Sequence, residues 1–379
     1  GTCPSDETKV TEKKIRKARP ESQAMSLAGR GRVARRGHVP PVHVPASNGS
    51  ADLKDFCGGV DVGGTKIASA LFTPEGAMTA KAKVPIPRAG GDKAGDQVAA
   101  TILGLERFAA EAGGRLRAVG VCVPGIVYAA SGRVWAPNIP GWDRYPLKAR
   151  LEGADQKRGQ APPVRVPIVL ESDRSAYVMG EAWRGAAAGA ADAVFLAVGT
   201  GIGAGILAGG RLIHGHEDIA GAVGWFGLDP DFKAVYAGMG CFEAEASGNS
   251  VGRKARELLA AGRPSLMREL AGGRVEDVTA ETVAAAARSK DPLALEVAAD
   301  AVRYLAMGIA NIVSILNPEV IVLGGGLFQA ADIFLDPVRL EFPKWAQPVA
   351  AAKVRLVVST LGEDAGLYGC GRLAWESLG

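Results

Sequence analysis

The heptapeptide VDVGGTK, Val60 to Lys66, gathers an acid, two glycines, a hydroxyl and a lysine into one tight turn. Glycines let backbone N–H groups approach a ligand closely, since no Cβ stands in the way. Such an array of donors beside a lysine suits a phosphate. Asp61 in the same place would repel that phosphate unless a cation lay between them, so the set points to a metal–nucleotide complex rather than a bare anion. Two further glycine turns, GTGIGAG at Gly199–Gly205 and GGG at Gly324–Gly326, offer similar chemistry. ESD at Glu171–Asp173 leaves a carboxylate at the end of an apolar run, fit either to cap a following helix or to accept a proton.

Two common phosphate sites are excluded. A Walker loop needs Gly-Lys-Ser/Thr leading into a helix, and Gly-Lys occurs nowhere in the chain. A dinucleotide fingerprint needs its glycines between a strand and a helix. Here GTGIGAG is followed by ILAGGRLI, which alternates like a hairpin.

Periodicity supplies the elements that must hold these turns. The segment from Gly58 to Ile86 predicts two or three strands, turning at Gly63-Gly64 and at Pro74–Gly76. Val98, Ile102, Leu105 and Phe108–Ala109 fall on one helical face that stops at Gly113-Gly114. RAVGVCVPG and VPIVLESD read as strands, RSAYVMGEAWRGAAAG as a helix, and Pro292–Leu316 as a long helix ended by Asn317-Pro318. Strand, glycine turn, strand recurs at residues 192–213, EVIVLGGG is a strand running into a turn, and VRLVVST is a last strand before a C-terminal helix. Strands alternating with helices make the chain α/β.

Composition narrows the class. The chain of 379 residues has room for two ordinary domains, and 47% apolar residues with 51 glycines suit an α/β enzyme rich in tight turns. Its apolar stretches are interrupted before the roughly 18–20 residues of a membrane span. Five scattered cysteines without a CxxC pair read as thiols of a reducing cytoplasm. Residues 1–55 carry 11 Lys/Arg against 6 Asp/Glu, and the remainder 33 against 34, so the basic character belongs to the leader. That leader lacks apolar periodicity and is expected to be a disordered tail, with no hydrophobic core of a secretory signal. The body gives no electrostatic reason to expect nucleic acid.

The ordered series DVGGTK, VPGIV, APNIPGW, ESD, GTGIGAG, GCFEAEASG and VIVLGGG, over roughly residues 57–379, resembles the ROK family of sugar kinases and repressors, nearest its glucokinase-like members. The resemblance implies two ribonuclease-H-like lobes of the sugar kinase/actin/Hsp70 type around a central cleft. The expected parts are an N-terminal lobe at 56–170, a C-terminal lobe at 171–364, and a helix at 365–379 packing back on the first lobe. ATP and Mg²⁺ are implied. Gly63, Gly64, Thr65 and Lys66 would hold the terminal phosphates from one lobe and Gly199, Thr200 and Gly201 from the other. Gly324, Gly325 and Gly326 would lie near the adenosine, and Asp61 would hold Mg²⁺ through water. Asp173 matches the catalytic base; Asn138, Ser172, Asp173 and Glu243 match sugar contacts. Read without the family, Asn138 is equally a turn residue and Glu243 a surface glutamate at a helix start.

The pattern breaks in places. Ser172 stands where the family has Asn, and its GEIGH motif reads GAVGW, leaving Ala222 for a sugar-binding Glu and Trp225 for a His. The family's zinc loop reads AVYAGMGC, which keeps only Cys241, and one thiolate does not make a tetrahedral site. No structural zinc is therefore expected, and HGHE (His214, His216, Glu217) reads as a polar loop rather than a metal site. Trp225 either stacks on a sugar or fills the space of the missing zinc loop. The leading expectation is an ATP-dependent hexose kinase acting on glucose, cytoplasmic and homodimeric. The alternatives are a catalytically weak sugar-sensing regulator, a kinase for another hexose or amino sugar, and polyphosphate as donor. Residues 1–55 show no pair of amphipathic helices for a DNA-binding module, which counts against a transcriptional regulator.

Overall fold

The computed structural model describes residues 53–154 and 161–379; nearly all of the leader expected at 1–55 lies outside the described residues. Strands β1 (Lys54–Val62), β2 (Lys66–Phe72) and β3 (Met78–Pro85) form an antiparallel meander, and helix α1 (Gly91–Glu111) leads to β4 (Gly114–Val123). A small hairpin of β5 (Ile126–Tyr128) and β6 (Arg133–Trp135) and a short helix α2 (Leu147–Glu152) precede β7 (Ile168–Ser172) and helix α3 (Asp173–Arg184). The sheet order is β3-β2-β1-β4-β7, with β4 parallel to both β1 and β7.

A second sheet repeats this plan. Strands β8 (Ala193–Val198), β9 (Ile202–Ala208) and β10 (Arg211–Leu212) form the meander. A helical insertion follows: α4 (Tyr236–Met239), α5 (Cys241–Ala246), α6 (Gly248–Ala260), α7 (Met267–Leu270), α8 (Ala280–Arg288) and α9 (Pro292–Leu316). Strand β11 (Val320–Gly324), helices α10 (Ala331–Glu341) and α11 (Pro348–Ala351), strand β12 (Arg355–Val358) and helix α12 (Ala365–Glu376) complete it. The order β10-β9-β8-β11-β12, with β11 parallel to β8 and β12, matches that of the first sheet position for position. The expected pair of ribonuclease-H-like lobes is therefore the observed architecture.

Local chemistry sets the element ends. Asp291 caps α9 by accepting the Ala294 N–H at 2.8 Å, Pro292 takes the first helical position, and Asn317 ends the helix in the left-handed region at φ 44. By length and composition α9 is apolar enough to cross a membrane, yet Leu305, Ile309, Ile312 and Val313 are buried in the core of the second lobe with Phe242 and Leu323. Helix α3 stops at Arg184, short of the Ala run expected within it, where Gly185 turns to extended backbone. Phe108, expected on the inner face of α1, is 42% exposed, and Ala94 and Ala99 complete that face instead. Cys57, Cys122, Cys241 and Cys370 are buried free thiols.

The two lobes exchange helices. Helix α3 follows the first sheet but packs Val178 and Met179 against Phe195, Leu207 and Val322 of the second. Helix α12 follows the second sheet and lies directly on the first: a Cβ at Gly59 of β1 would fall 2.5 Å from the Leu367 carbonyl oxygen. The two helices meet backbone to backbone, since a Cβ on Gly369 would lie 1.8 Å from the Ala176 oxygen. Gly369→Val is accordingly expected to destabilise the protein by about 3 kcal/mol or more, because the obstacle is backbone that cannot repack. Gly104→Ala on α1, where the nearest atom would be 3.9 Å away, is expected to be neutral or mildly stabilising. Denaturant midpoints of the two variants against the parent check this.

Candidate active site

The first glycine turn joins β1 to β2, closed by the Gly63 N–H donating to the Lys66 carbonyl at 2.8 Å. Gly64 packs against the loop of Asn138, whose backbone oxygen would lie 3.2 Å from a Cβ at Gly64. Two expected site segments are thus in contact. Thr65 and Asn138 are exposed. Lys66 is not free: its Nζ lies 3.1 Å from Glu363 Oε2, which Lys83 also holds at 2.8 Å.

Asp61 is the penultimate residue of β1, in a half-buried position. Its Oδ1 accepts the Cys122 thiol at 3.4 Å, and a Cβ at Gly366 of α12 would fall 2.7 Å from its Oδ2. Burial pushes the Asp61 carboxyl above its usual range, against the smaller lowering effects of Cys122 and Lys66. A desolvated carboxylate whose hydrogen-bond donor is a thiol fits a cation.

Asp173 is the first residue of α3. Ser172, not Asp173, caps that helix, accepting the Ser175 N–H at 3.3 Å and donating to Ser175 Oγ at 3.0 Å. The buried Ser172 hydroxyl, expected among the sugar contacts, thus bonds the helix end. Asp173 Oδ1 accepts the Arg174 N–H at 2.8 Å, and its side chain is 23% exposed. Burial pushes its carboxyl up to about 6; Arg174 opposes this and the charge of Asp61 adds to it. Helix α3 lies on the second sheet through Gly205, where a Cβ would meet the Arg174 carbonyl at 2.0 Å. The crossing thus sets the start of α3, and Asp173 with it, against β9 of the second lobe's glycine hairpin.

That hairpin joins β8 to β9, the Gly199 N–H donating to the Gly201 carbonyl at 2.9 Å. Glu243 on α5 sits against it: its Oε2 accepts the Ile202 N–H at 2.7 Å and would lie 2.6 Å from a Cβ at Gly201. Burial raises the Glu243 carboxyl, with the Ile202 N–H opposing. Helix α6 docks on the same turn, Gly248 N–H to the Gly199 carbonyl at 2.8 Å, so its N-terminus adds a partial positive charge there.

The third glycine turn divides the available space. A cavity of about 360 Å³, lined by Gly199, Thr200, Asn249, Arg256 and Glu281, reaches Gly326 from one side. A smaller one of about 200 Å³ over α8 also reaches it. A third, about 380 Å³, lies against Gly324, Gly325 and Gly326 with Tyr177, Phe195 and Glu363. Sequence reasoning missed Asn249, Arg256 and Glu281. The signal was faint: Gly248 and Gly252, one turn apart, open the face of α6 that Asn249 and Arg256 flank.

The region expected to lack zinc is held by ion pairs. Glu245, 3% exposed, takes Lys233 at 2.8 Å and Lys254 at 2.5 Å. The Tyr236 hydroxyl lies within hydrogen-bond reach of both Glu245 and Asp229, 2.9 Å from the latter, with one proton for the pair. Burial alone would raise the Glu245 carboxyl; the hydrogen bonds from Lys233, Lys254 and Tyr236 bring it below its usual range. Cys241 is buried and accepts the Leu228 N–H. Trp225 is 59% exposed, so it does not fill the space of a lost metal loop. His216 and Glu217 lie in solvent, 3.5 Å apart.

Three comparisons bear on this arrangement. The sequence model of the ROK family matches residues 57–377. A glucokinase of Halalkalibacterium halodurans is 32% identical over 323 residues, 83% of this chain and 93% of that protein. The crystal structure of a ROK family glucokinase from Streptomyces griseus, in complex with glucose and AMPPNP, superposes with a TM-score of 0.68 at 30% identity, covering 85% of this chain and 99% of that one. A xylose repressor of Caldicellulosiruptor bescii is 27% identical over 254 residues, 66% of this chain and 61% of its own length.

The buried network yields a direct test. Glu245→Gln leaves Lys233 and Lys254 facing a neutral group, and breaking a buried pair from one side costs about 3–5 kcal/mol. Urea denaturation is expected to show a loss of that order, and elemental analysis of the parent is expected to find no stoichiometric zinc.

Proposed function

The chain belongs to the ROK family, and on that premise we propose that it is a hexose kinase transferring the terminal phosphoryl group of ATP to glucose, at its 6-hydroxyl. What carries the reading is one juxtaposition: two desolvated carboxylates, Asp61 near the end of β1 and Asp173 just past β7, the strands on either side of β4, beside two glycine hairpins. The glucose and AMPPNP in the Streptomyces griseus relative support a sugar and an ATP-like nucleotide as the ligand pair.

Each part of the site has a task. The N–H groups of Gly64, Thr65, Thr200 and Gly201, in the turns that Gly63 and Gly199 close, receive the phosphates with the N-terminus of α6; Lys66 joins them on leaving Glu363. The cavities beside Gly326 take the adenosine, with Asn249, Arg256 and Glu281 at its edges. Asp61 would hold Mg²⁺ through water, and the ion supplies charge neutralisation of the transferred group. Asp173 accepts the proton of the attacking hydroxyl as its oxygen bonds phosphorus and the bond to ADP breaks. Asn138, lying on the Gly64 turn, and the free oxygen of Glu243 orient the other hydroxyls.

A second reading, a sugar-sensing regulator of weak activity, draws on the likeness to the xylose repressor and on Ala222 and Trp225. Turnover separates the two, and the same assay with polyphosphate in place of ATP decides the donor.

Because Asp173 must be ionised to act, kcat/KM is expected to fall about tenfold per pH unit below its raised value of about 6. Asp173→Asn should lower kcat by roughly 10²-fold or more while nucleotide affinity stays near that of the parent. Near-normal turnover in that variant would remove the assignment.

The sugar pocket gives a second expectation. A buried set of hydrogen-bonding groups rejects the wrong sugar because it leaves polar groups unpaired. With Ala222 and Trp225 in place of a carboxylate and an imidazole, discrimination at the sugar's C2 is expected to be weak. Mannose and glucosamine should then compete measurably with glucose in steady-state kinetics. Their rejection by several orders of magnitude would mean that other residues have taken over those contacts.

A further inference from the structure

One segment of the second lobe reaches across to the first at two points. It is the loop 213–221, which runs from β10 to the sugar-side turn at Ala222–Trp225. His214 Nε2 lies 2.7 Å from Oε2 of Glu171, near the end of β7. Glu171 is buried, and its other oxygen accepts the Ser172 N–H at 2.7 Å. Four residues further on, Asp218 Oδ2 accepts the N–H of Ala129, just past β5, at 3.0 Å. Glu171 and Ala129 belong to the first lobe; His214 and Asp218 belong to the second.

The loop is shaped for this contact. Asp218 sits at φ 60, in the left-handed region that Asp tolerates better than most residues, and the Ala220 N–H donates to the His214 carbonyl at 2.9 Å. On the other side, Glu171 pairs in register with Cys122 and Cys122 with Asp61, so the three side chains form one row across β7, β4 and β1. Glu171 is therefore two residues from the base and in line with the acid of the first turn. A carboxylate buried there needs a partner, and His214 is the side chain that provides one.

We propose that His214 is a positioning residue for the sugar: acting through Glu171, and together with Asp218, it clasps the loop 213–221 onto the first lobe and so sets the Ala222–Trp225 turn against the strand end that bears Asp173. The proposal rests on the hexose-kinase reading. Two charged groups face the imidazole, Glu171 from β7 and Asp218 from its own loop, while Arg174 of α3 meets the loop only at the Gly221 carbonyl, 3.5 Å away. The hydrogen bond to Glu171, above all, raises the His214 pKa against the effect of burial. The cationic clasp is complete below that raised value and weakens as pH rises through it, so hexose KM should climb as pH rises through the His214 titration.

The test uses the full chain with His214→Ala, His214→Gln and Asp218→Gly, the last keeping the left-handed backbone while removing the carboxylate. The Ala and Gly variants are expected to raise hexose KM roughly tenfold, with ATP KM near that of the parent; the melting temperature should fall modestly in His214→Ala, which unpairs Glu171, and stay near the parent's in Asp218→Gly. His214→Gln, which keeps a neutral donor, should recover part of the loss and show a hexose KM that no longer depends on pH. Amide exchange at Ala129, which needs no activity, should quicken in Asp218→Gly. Unchanged hexose KM with unchanged exchange at Ala129 would overturn the clasp. So would parallel losses of hexose affinity, ATP affinity and melting temperature in His214→Ala. A parent protein that phosphorylates no hexose would instead end the kinase reading, leaving amide exchange to decide the clasp by itself.

Discussion

The backbone contact between α3 and α12 is the constraint on which the rest depends. Each helix leaves one sheet and packs on the other, and the two touch where Gly369 meets the Ala176 carbonyl and where Gly180 meets that of Ala365. A contact made through side chains can repack around a new rotamer. One made backbone to backbone has no such freedom, so the two sheets keep one relation at the crossing. Both carboxylates of the candidate site are fixed by it: Asp61 lies under Gly366 in the first turn of α12, and Asp173 is the first residue of α3.

Depth at the crossing also sets the electrostatics. The two acids are desolvated by the same helices, and the charge on Asp61 contributes to raising the Asp173 pKa. Any positive charge brought to Asp61 removes that contribution and favours the ionised form of Asp173. The protonation state of Asp173 is thereby tied to the charge held at the first glycine turn, with no moving part required. Cys122, between Asp61 and Glu171 in the sheet, is the neutral member of the row and donates to Asp61.

Much of this was legible in the sequence, because short-range rules governed it. The glycine hairpins, the limits of α9 and the aspartate at the end of β7 follow from turn chemistry, capping and apolar periodicity, and the order of motifs carried the two-lobed fold. What could not be read were contacts between residues far apart in the chain. Ser172 reads as a pocket residue, and its role in closing the start of α3 through Ser175 is not visible in the sequence. Lys66 looked free for phosphate, yet Glu363, 297 residues away, holds it. The RGAAAG run looked helical, whereas Gly185 and the backbone bond from Ala187 to the Glu181 carbonyl close the helix early. The Lys233–Glu245–Lys254 cluster lay hidden for the same reason, since nothing in residue spacing announces which surface lysine will find a buried glutamate.

That cluster bears on the pocket through a single six-residue helix. On α5, Glu243 turns toward the second glycine hairpin and accepts the Ile202 N–H, while Glu245, two residues on, turns away to Lys233, Lys254 and Tyr236. The helix is too short to hold its own position by internal hydrogen bonds. Its placement comes from what grips its two sides and from Ser250, whose hydroxyl donates to the Glu243 carbonyl at 2.8 Å. Where the family resemblance would have a metal fix the adjoining loop, this chain has a carboxylate between two lysines and a tyrosine. Such a network is directional and satisfies its members only in one arrangement, so it can fix the orientation of α5 as a tetrahedral ion would. The rotation of α5 in turn decides which way Glu243 faces, and so links the Lys233–Glu245–Lys254 cluster to the second glycine hairpin.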